Sequence, residues 1–337
     1  MKAIVERLFE QLPSSFLTFR WFHTYALEKI VLEKDKDFNH THHVEHRGSY
    51  MTVKMAVPNK GRLYERTIEL LLKSGLDLGE DWGRKLYIRA INQDIEIVFV
   101  RAQDIPEFIN SGSVDLGITG QDQIADSGYK MENLLNLDFG HCRLSVAVPE
   151  TSDIRKVSDI KDGTRVATSF PRITKRFFES KGKKVKIVPV TGAAEIMPYM
   201  GVSDIIVDLV SSGTTLKMNR LVEIETLVNS QAIIATSKDS LKKAKDEITD
   251  FVDSISSVIM AETKKYLMAD VPSKKLDQIT KMFPGLEGPT VMNISGRNDM
   301  VAIHVVVDKK DVYDAVNKLK KLGAKGILIL PIDRLVP

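Results

Sequence analysis

The chain has 337 residues, with 48 Lys+Arg against 45 Asp+Glu, 43% apolar residues and one cysteine, and this length predicts two or three domains at roughly 150 residues each. A net charge of +3 gives no electrostatic reason to expect nucleic acid as a partner, and lone Cys142 excludes an intramolecular disulfide and a CxxC zinc site. No run of 18 apolar residues offers a membrane span, and Glu6, Arg7 and Glu10 interrupt the start of the chain, so neither a membrane partner nor a signal peptide is expected and the cytoplasm is the expected compartment.

Residues 1–50 stand apart from the rest. They hold five of the seven histidines, His23, His40, His42, His43 and His46, and residues 35–48 are almost entirely polar. Imidazoles are good metal ligands, but no carboxylate or thiol cluster completes a site, so the tract reads as an unstructured leader. Met51, where the regular pattern begins, is a candidate start codon.

From Val53 onward short apolar runs alternate with helical patterns, which predicts an α/β protein with mainly parallel strands. Strands are expected over 53–57, 95–100, 114–118, 144–148, 165–167, 185–188 and 205–207. A helix over 64–74 places Leu63, Thr67, Leu70 and Leu71 on one face and stops at Gly75; another over 173–181 stops at Gly182. After Ser237 the pattern changes to a long amphipathic helix over 241–266, a strand over 267–271, a helix over 274–283, strands over 290–294 and 301–307, a helix over 312–322 and a strand over 327–330. The order βαββαβ predicts a separate ferredoxin-like domain.

The segment Asp204-Ile-Ile-Val-Asp-Leu-Val-Ser-Ser-Gly-Thr-Thr-Leu216 carries the sharpest chemical signal. An apolar strand ends in Asp208, and Ser211, Ser212, Gly213, Thr214, Thr215 and Leu216 follow where a helix begins. Freed amides and hydroxyls at such a turn point outward together and form a phosphate cradle, although Ser and Thr also cap many ordinary helices. Asp208 cannot bind phosphate; it suits ribose hydroxyls or a hydrated magnesium ion. The loop Pro58-Asn-Lys-Gly-Arg-Leu63 brings Lys60, Gly61 and Arg62 to the start of the first helix, as cationic donors for a polyphosphate. Asp115 and Gly120, in Val114-Asp-Leu-Gly-Ile-Thr-Gly120, and Arg101 are placed at strand ends, where α/β folds bind ligands. No GxSxG, HExxH or GxGxxG motif is present. His141, Cys142 and His304 read as structural, because nothing identifies a base within reach of a nucleophile.

Seven motifs, in order, resemble the long form of ATP phosphoribosyltransferase, the enzyme of the first step of histidine biosynthesis. They are Asn59-Lys-Gly-Arg-Leu-Tyr64, Val100-Arg-Ala-Gln-Asp-Ile-Pro106, Val114-Asp-Leu-Gly-Ile-Thr-Gly120, Leu137-Asp-Phe-Gly-His-Cys-Arg-Leu-Ser145, Val166-Ala-Thr-Ser-Phe-Pro171, Asp208-Leu-Val-Ser-Ser-Gly-Thr-Thr-Leu216 and Gly323-Ala-Lys-Gly-Ile-Leu-Ile-Leu-Pro331. The resemblance covers 53–335 and implies a bilobed catalytic unit like a type II periplasmic binding protein. Lobe 1 would span 51–147 plus 228–237, lobe 2 would span 148–227, and a ferredoxin-like regulatory domain would span 238–337.

By the same resemblance, 5-phosphoribosyl diphosphate would bind at Asp208 and at Ser211 to Leu216, with Glu195 and Asp208 facing the ribose. ATP would lie near Gly61, Arg62, Arg101, Asp115 and Gly120. Catalysis would rest on Lys60, Arg62, Glu195, Asp208 and Mg2+, whose direct ligands the motifs do not identify. Histidine would inhibit from a site lined by Asp270, Leu286, Thr290, Val306 and Gly326, at an interface in a homo-oligomer ranging from dimer to hexamer. The competing reading is a non-catalytic bilobed binding protein with an amino-acid-sensing tail. It expects a signal peptide and has no use for a Ser-Ser-Gly-Thr-Thr turn beside a carboxylate.

Overall fold

The structure is a computed structural model that describes residues 51–80, 83, 85–283 and 288–336; the expected leader lies outside the described residues. The chain opens with β1 (Val53–Pro58), α1 (Tyr64–Lys73), β2 (Tyr87–Arg89), β3 (Ile95–Val100), α2 (Ile105–Asn110), β4 (Leu116–Gly120), α3 (Gln121–Ser127) and β5 (Glu132–Asn136). It continues with β6 (Cys142–Pro149), β7 (Arg165–Thr168), α4 (Pro171–Ser180), β8 (Lys186–Pro189), β9 (Ile205–Val210), α5 (Thr214–Met218) and β10 (Leu221–Ser230). Then come β11 (Ala232–Thr236), α6 (Lys238–Lys243), α7 (Lys245–Glu262), β12 (Lys264–Pro272), α8 (Leu276–Met282), β13 (Thr290–Ile294), β14 (Arg297–Asp308), α9 (Val312–Lys321) and β15 (Lys325–Leu330).

Three sheets result. The first runs β2-β3-β1-β4-β11-β5 and the second β10-β6-β9-β7-β8. Both are mixed rather than mainly parallel. β1 is parallel to β3 and β4, and β7 to β8 and β9. β11 is antiparallel to β4 and β5, while β6 is antiparallel to β9 and β10. The reason is the connectivity: β6 leaves the first lobe to enter the second sheet, and β11 returns to the first, each running against its new neighbours. This is the twice-crossed bilobed architecture. The crossings lie between β5 and β6 and at Gln231, so the expected limits at 147/148 and 227/228 fall inside β6 and β10.

The expected helix over 241–266 is two helices and the start of a strand. Ala244 breaks it with φ −135 and ψ 46, and α7 stops at Glu262 because the alternating burial of β12 takes over. More consequential is what α7 packs against. Ile248, Phe251, Val252, Ile255 and Val258 form one buried stripe at helical spacing, and they join β1, β3 and α1 in the core of the first lobe. Residues 238–262 therefore belong with the catalytic unit rather than with the tail.

The third sheet runs β13-β14-β12-β15, fully antiparallel, with α8 and α9 packed on one face through Ile279, Ala315 and Leu319. That is the expected βαββαβ fold. Its last residues return to the first lobe, where Arg334 Nε donates to the Lys73 carbonyl at 3.2 Å and Leu335 N–H to the Ser257 carbonyl at 2.9 Å. Between the lobes, the Asp126 carboxylate of α3 accepts the Ile173 N–H at 2.8 Å and so caps α4. Among the described residues no helix is long and apolar enough to cross a membrane.

Ile255 on α7 is fully buried. Replacing it with Ala should therefore cost about 2–5 kcal/mol, read as a lower midpoint in urea unfolding of the catalytic unit. A loss below about 1 kcal/mol would contradict its place in that core.

Candidate active site

The parallel strands β1, β3 and β4 of the first lobe and β8 and β9 of the second end in the loops that carry the candidate site residues. In the second lobe β9 carries Asp208 and then turns through Ser211 and Ser212 into Gly213, which holds φ 79, the left-handed conformation that suits glycine. The Ser212 and Thr214 hydroxyls lie 2.9 Å apart, and the Thr214 N–H donates to Ser212 Oγ at 3.4 Å. Ser211, Ser212, Thr214 and Thr215 are exposed, while Leu216 anchors the turn in the core. This turn presents hydroxyls and amides outward, as an anion cradle requires.

Asp208 is partly buried and bonded at Oδ1 by its neighbour's N–H, Leu209, at 2.7 Å. Burial pushes its carboxyl up to about 6, and the nearby Glu195 carboxylate pushes in the same direction. Glu195 sits on a 3-10 turn, 194–196, entered through Ala193 at φ 52, a strained conformation for alanine that only its surroundings hold. The structure thus brings Asp208, Glu195 and the turn 211–216 together.

Sequence reasoning missed the group that braces this turn. Arg143 on β6 makes a two-pronged ion pair with Glu223, Nε to Oε1 at 2.6 Å and Nη2 to Oε2 at 2.5 Å, and its Nη1 donates to the Ser211 carbonyl at 3.2 Å. The Ser145 hydroxyl donates to the same Glu223 at 2.8 Å. Arg143 and Ser145 share a strand face through period-2 alternation, and Ser145 pairs directly with Asp208. Only the pairing of β6 with β10, which carries Glu223, and with β9, which leads to Ser211, makes this visible.

In the first lobe, the loop after β1 turns at Gly61, φ 84, into α1. Lys60 is exposed. Asn59 Oδ1 is buried without a hydrogen-bond partner, an unexplained acceptor beside the loop. Arg62 Nη1 donates to the Gly140 carbonyl and its Nη2 lies 3.6 Å from Asp122 Oδ1. Arg101 follows β3 and Gly120 closes β4, both at the carboxyl ends of their strands.

Asp115 does not join them. It precedes β4, and its Oδ2 accepts the Lys54 N–H at 2.8 Å near the start of β1. Four strand steps of roughly 3.3 Å separate Lys54 from Pro58, so Asp115 stands about 13 Å away, at the other end of the sheet. The observed β4 starts two residues later than the expected strand over 114–118, and on either reading Asp115 lies at the amino end of the strand.

Cys142 is buried, and burial pushes its thiol up, so it is no ready nucleophile. His304 Nδ1 meets the Tyr266 hydroxyl at 2.8 Å. In the third sheet Asp270 and Gly326 are neighbours, and a Cβ on Gly326 would stand 3.4 Å from Asp270 Oδ2. Thr290 pairs with His304, and Val306 with Tyr266. Tyr266 is four steps, about 13 Å, along β12 from Asp270, so one copy does not bring Val306 and Asp270 to one small ligand. Leu286 lies outside the described residues. Among the described residues, no group of three or more His, Cys, Asp and Glu gathers to hold a metal.

The family model for ATP phosphoribosyltransferase matches residues 101–257, and a second, for the HisG C-terminal domain, matches 261–334. The break between them falls near the end of α7. The chain is 42% identical over 290 residues to the ATP phosphoribosyltransferase of Methanosarcina barkeri, covering 85% of this chain and 100% of that one. It is 42% identical over 288 residues to that of Methanocaldococcus jannaschii, covering 84% and 100%. Among solved structures, an ATP phosphoribosyl transferase (HisG:HisZ) complex from Thermotoga maritima is 28% identical with a TM-score of 0.56, covering 62% of this chain and 98% of that one. With identity of this order along the whole length of such relatives, the chain belongs to the ATP phosphoribosyltransferase family.

Proposed function

We propose that the protein transfers the 5-phosphoribosyl group from 5-phosphoribosyl diphosphate to N1 of ATP, giving phosphoribosyl-ATP and diphosphate in the first step of histidine biosynthesis. The observation that carries the reading is the acidic pair Asp208 and Glu195 beside the exposed hydroxyl turn 211–216, in a chain whose relatives are named for this reaction. The C1′–N1 bond forms as the C1′–O bond to diphosphate breaks, so positive charge grows on the sugar and negative charge on the leaving group. The turn would hold the 5-phosphate through amides and hydroxyls, and Asp208 would accept ribose hydroxyls. Lys60, Arg62 and Arg101 would oppose the diphosphate and triphosphate charge. Positioning and electrostatics suffice, and no covalent nucleophile is needed. The cytoplasm, which holds ATP, is the compartment this chemistry requires.

Mg2+ fits this arrangement. A magnesium ion carried by phosphate oxygens needs one or two protein carboxylates, and Asp208 with Glu195 supplies them; bound there, it would neutralise diphosphate charge. The same carboxylates repel each other in the free protein, as the raised Asp208 carboxyl indicates.

The third sheet would sense histidine, with Asp270 pairing its ammonium or imidazolium group beside Gly326. Contacts from Thr290 and Val306 would come from a second copy, in keeping with a homo-oligomer of dimers or hexamers.

A spectrophotometric assay with ATP, 5-phosphoribosyl diphosphate and Mg2+ tests the reaction directly. Thr214→Leu and Asp208→Asn are expected to abolish turnover with circular dichroism unchanged, and near-normal rates in both would refute the site. Asp208 must be ionised to accept hydroxyls, so kcat/KM for the sugar donor should rise with pH through about 6 and level off above it.

The raised carboxyl also makes a stability prediction. The folded protein keeps a proton that the unfolded chain releases above about 3.8, so Asp208 costs nothing near pH 3 and its full cost appears above about 6. Asp208→Asn should therefore stabilise the free protein at pH 8, by on the order of 3 kcal/mol, and not at pH 3. Equal effects at both would rule out this account. For the tail, calorimetry should show histidine affinity falling at least tenfold in Asp270→Ala; unchanged affinity removes that residue from the site.

A further inference from the structure

Asp122, on the first turn of α3, plays no part in the chemistry above, yet it is completely buried at 0% exposure. A carboxylate withdrawn from water needs a cation and hydrogen bonds to be tolerated. Its Oδ1 accepts from the Ser230 hydroxyl, its own N–H donates to Ser230 Oγ at 3.0 Å, and Oδ2 accepts from Gln123 Nε2 at 3.2 Å. Its cationic partner among the described residues is Arg62, whose Nη2 lies 3.6 Å away.

These partners come from three places. Ser230 ends β10, at the return crossing between the lobes. Gly140, whose carbonyl accepts from Arg62 Nη1, lies on the outgoing crossing. Arg62 itself belongs to the loop that carries Lys60 into the cleft. Two glycines keep the approach open. A Cβ on Gly120 would overlap the Asp122 carboxylate, and one on Gly140 would overlap Leu63 and crowd Arg62. The guanidinium therefore touches a buried carboxylate and one crossing at once, while the carboxylate holds the other crossing.

We propose that Asp122 is a positioning residue, which holds Arg62 against both interlobe crossings so that the angle between the lobes and the aim of the 59–62 loop are set together. The proposal rests on the transferase reading for its kinetic test. Asp122 touches no substrate and acts through Arg62. Closing the cleft over a charged substrate flexes the two crossings, and the Arg62–Asp122 contact transmits that movement to the loop.

A double-mutant cycle on the full chain tests this. Asp122→Asn should lower kcat at least tenfold, with KM for ATP and 5-phosphoribosyl diphosphate within threefold of the wild type, whereas Arg62→Met, which also removes a charge that faces ATP, should lower kcat at least tenfold and raise KM for ATP. The double variant should be no slower than Arg62→Met alone. Losses that multiply, or a loss confined to KM, would overturn the proposal. Should Asp122→Asn fail to fold, Ser230→Ala removes one hydroxyl and no charge; the same non-additivity with Arg62→Met is expected, and multiplying losses overturn it. The cycle read by urea unfolding needs no substrate. A silent wild-type enzyme would thus remove the transferase reading, while additive unfolding effects would separately remove the Arg62–Asp122 coupling.

Discussion

The first sheet of the catalytic unit is complete only when β11 returns to it after the whole of the second sheet, and the rest of the molecule depends on that return. β6 lies between β9 and β10, and β11 lies between β4 and β5. The two crossings run side by side, joined by the Leu137 N–H to the Ala232 carbonyl at 3.0 Å and by the Ala232 N–H to the Phe139 carbonyl at 2.9 Å. The floor of the cleft is thus a paired ribbon rather than a loose linker. Its bending is confined to a few residues, as expected of hinges, which sit at the ends of elements. The candidate site residues follow the carboxyl ends of the parallel strands in both lobes, so they come from loops far apart in sequence.

Within the site, local stability is given up where chemistry needs it. Asp208 is held partly buried beside a second carboxylate, and Ala193 is kept at φ 52. Perturbed carboxyls and strained backbone of this kind cluster where ligands bind. The group that braces the turn is, by contrast, well paired: Glu223 takes three hydrogen bonds from Arg143 and Ser145, and Arg143 in turn holds the Ser211 carbonyl. Among the described residues Asp208 and Glu195 have no salt-bridge partner, whereas Glu223 beneath the turn is paired with Arg143.

Much of this was legible in the residues. Strands over 95–100 and 290–294 and the order βαββαβ follow from short apolar runs with clear breaks, and the hydroxyl turn follows from its composition. Less was legible where the outcome depends on a partner distant in the chain. β2 has three residues, and β5 and β10 carry irregular burial, so alternation gives little signal. The stripe on α7 announces burial but not against what, and it was assigned to the wrong domain. Asp115 reads as a strand-end residue, and only its bond to the Lys54 N–H shows that the end is the amino one. Arg143 and Asp122 became meaningful only once strand pairing brought Glu223 and Ser230 beside them.

The late return of β11 has a consequence for how the polypeptide is made. All five strands of the second sheet lie between Cys142 and Ser230, so that lobe is ready to fold as soon as this stretch leaves the ribosome. The first lobe begins earlier yet finishes later, because β11 and α7 emerge only afterwards. Domains usually fold in the order of synthesis; here the order inverts. In the finished sheet β4 and β5 touch only through β11, so the first lobe cannot close its sheet until Thr236 has been made.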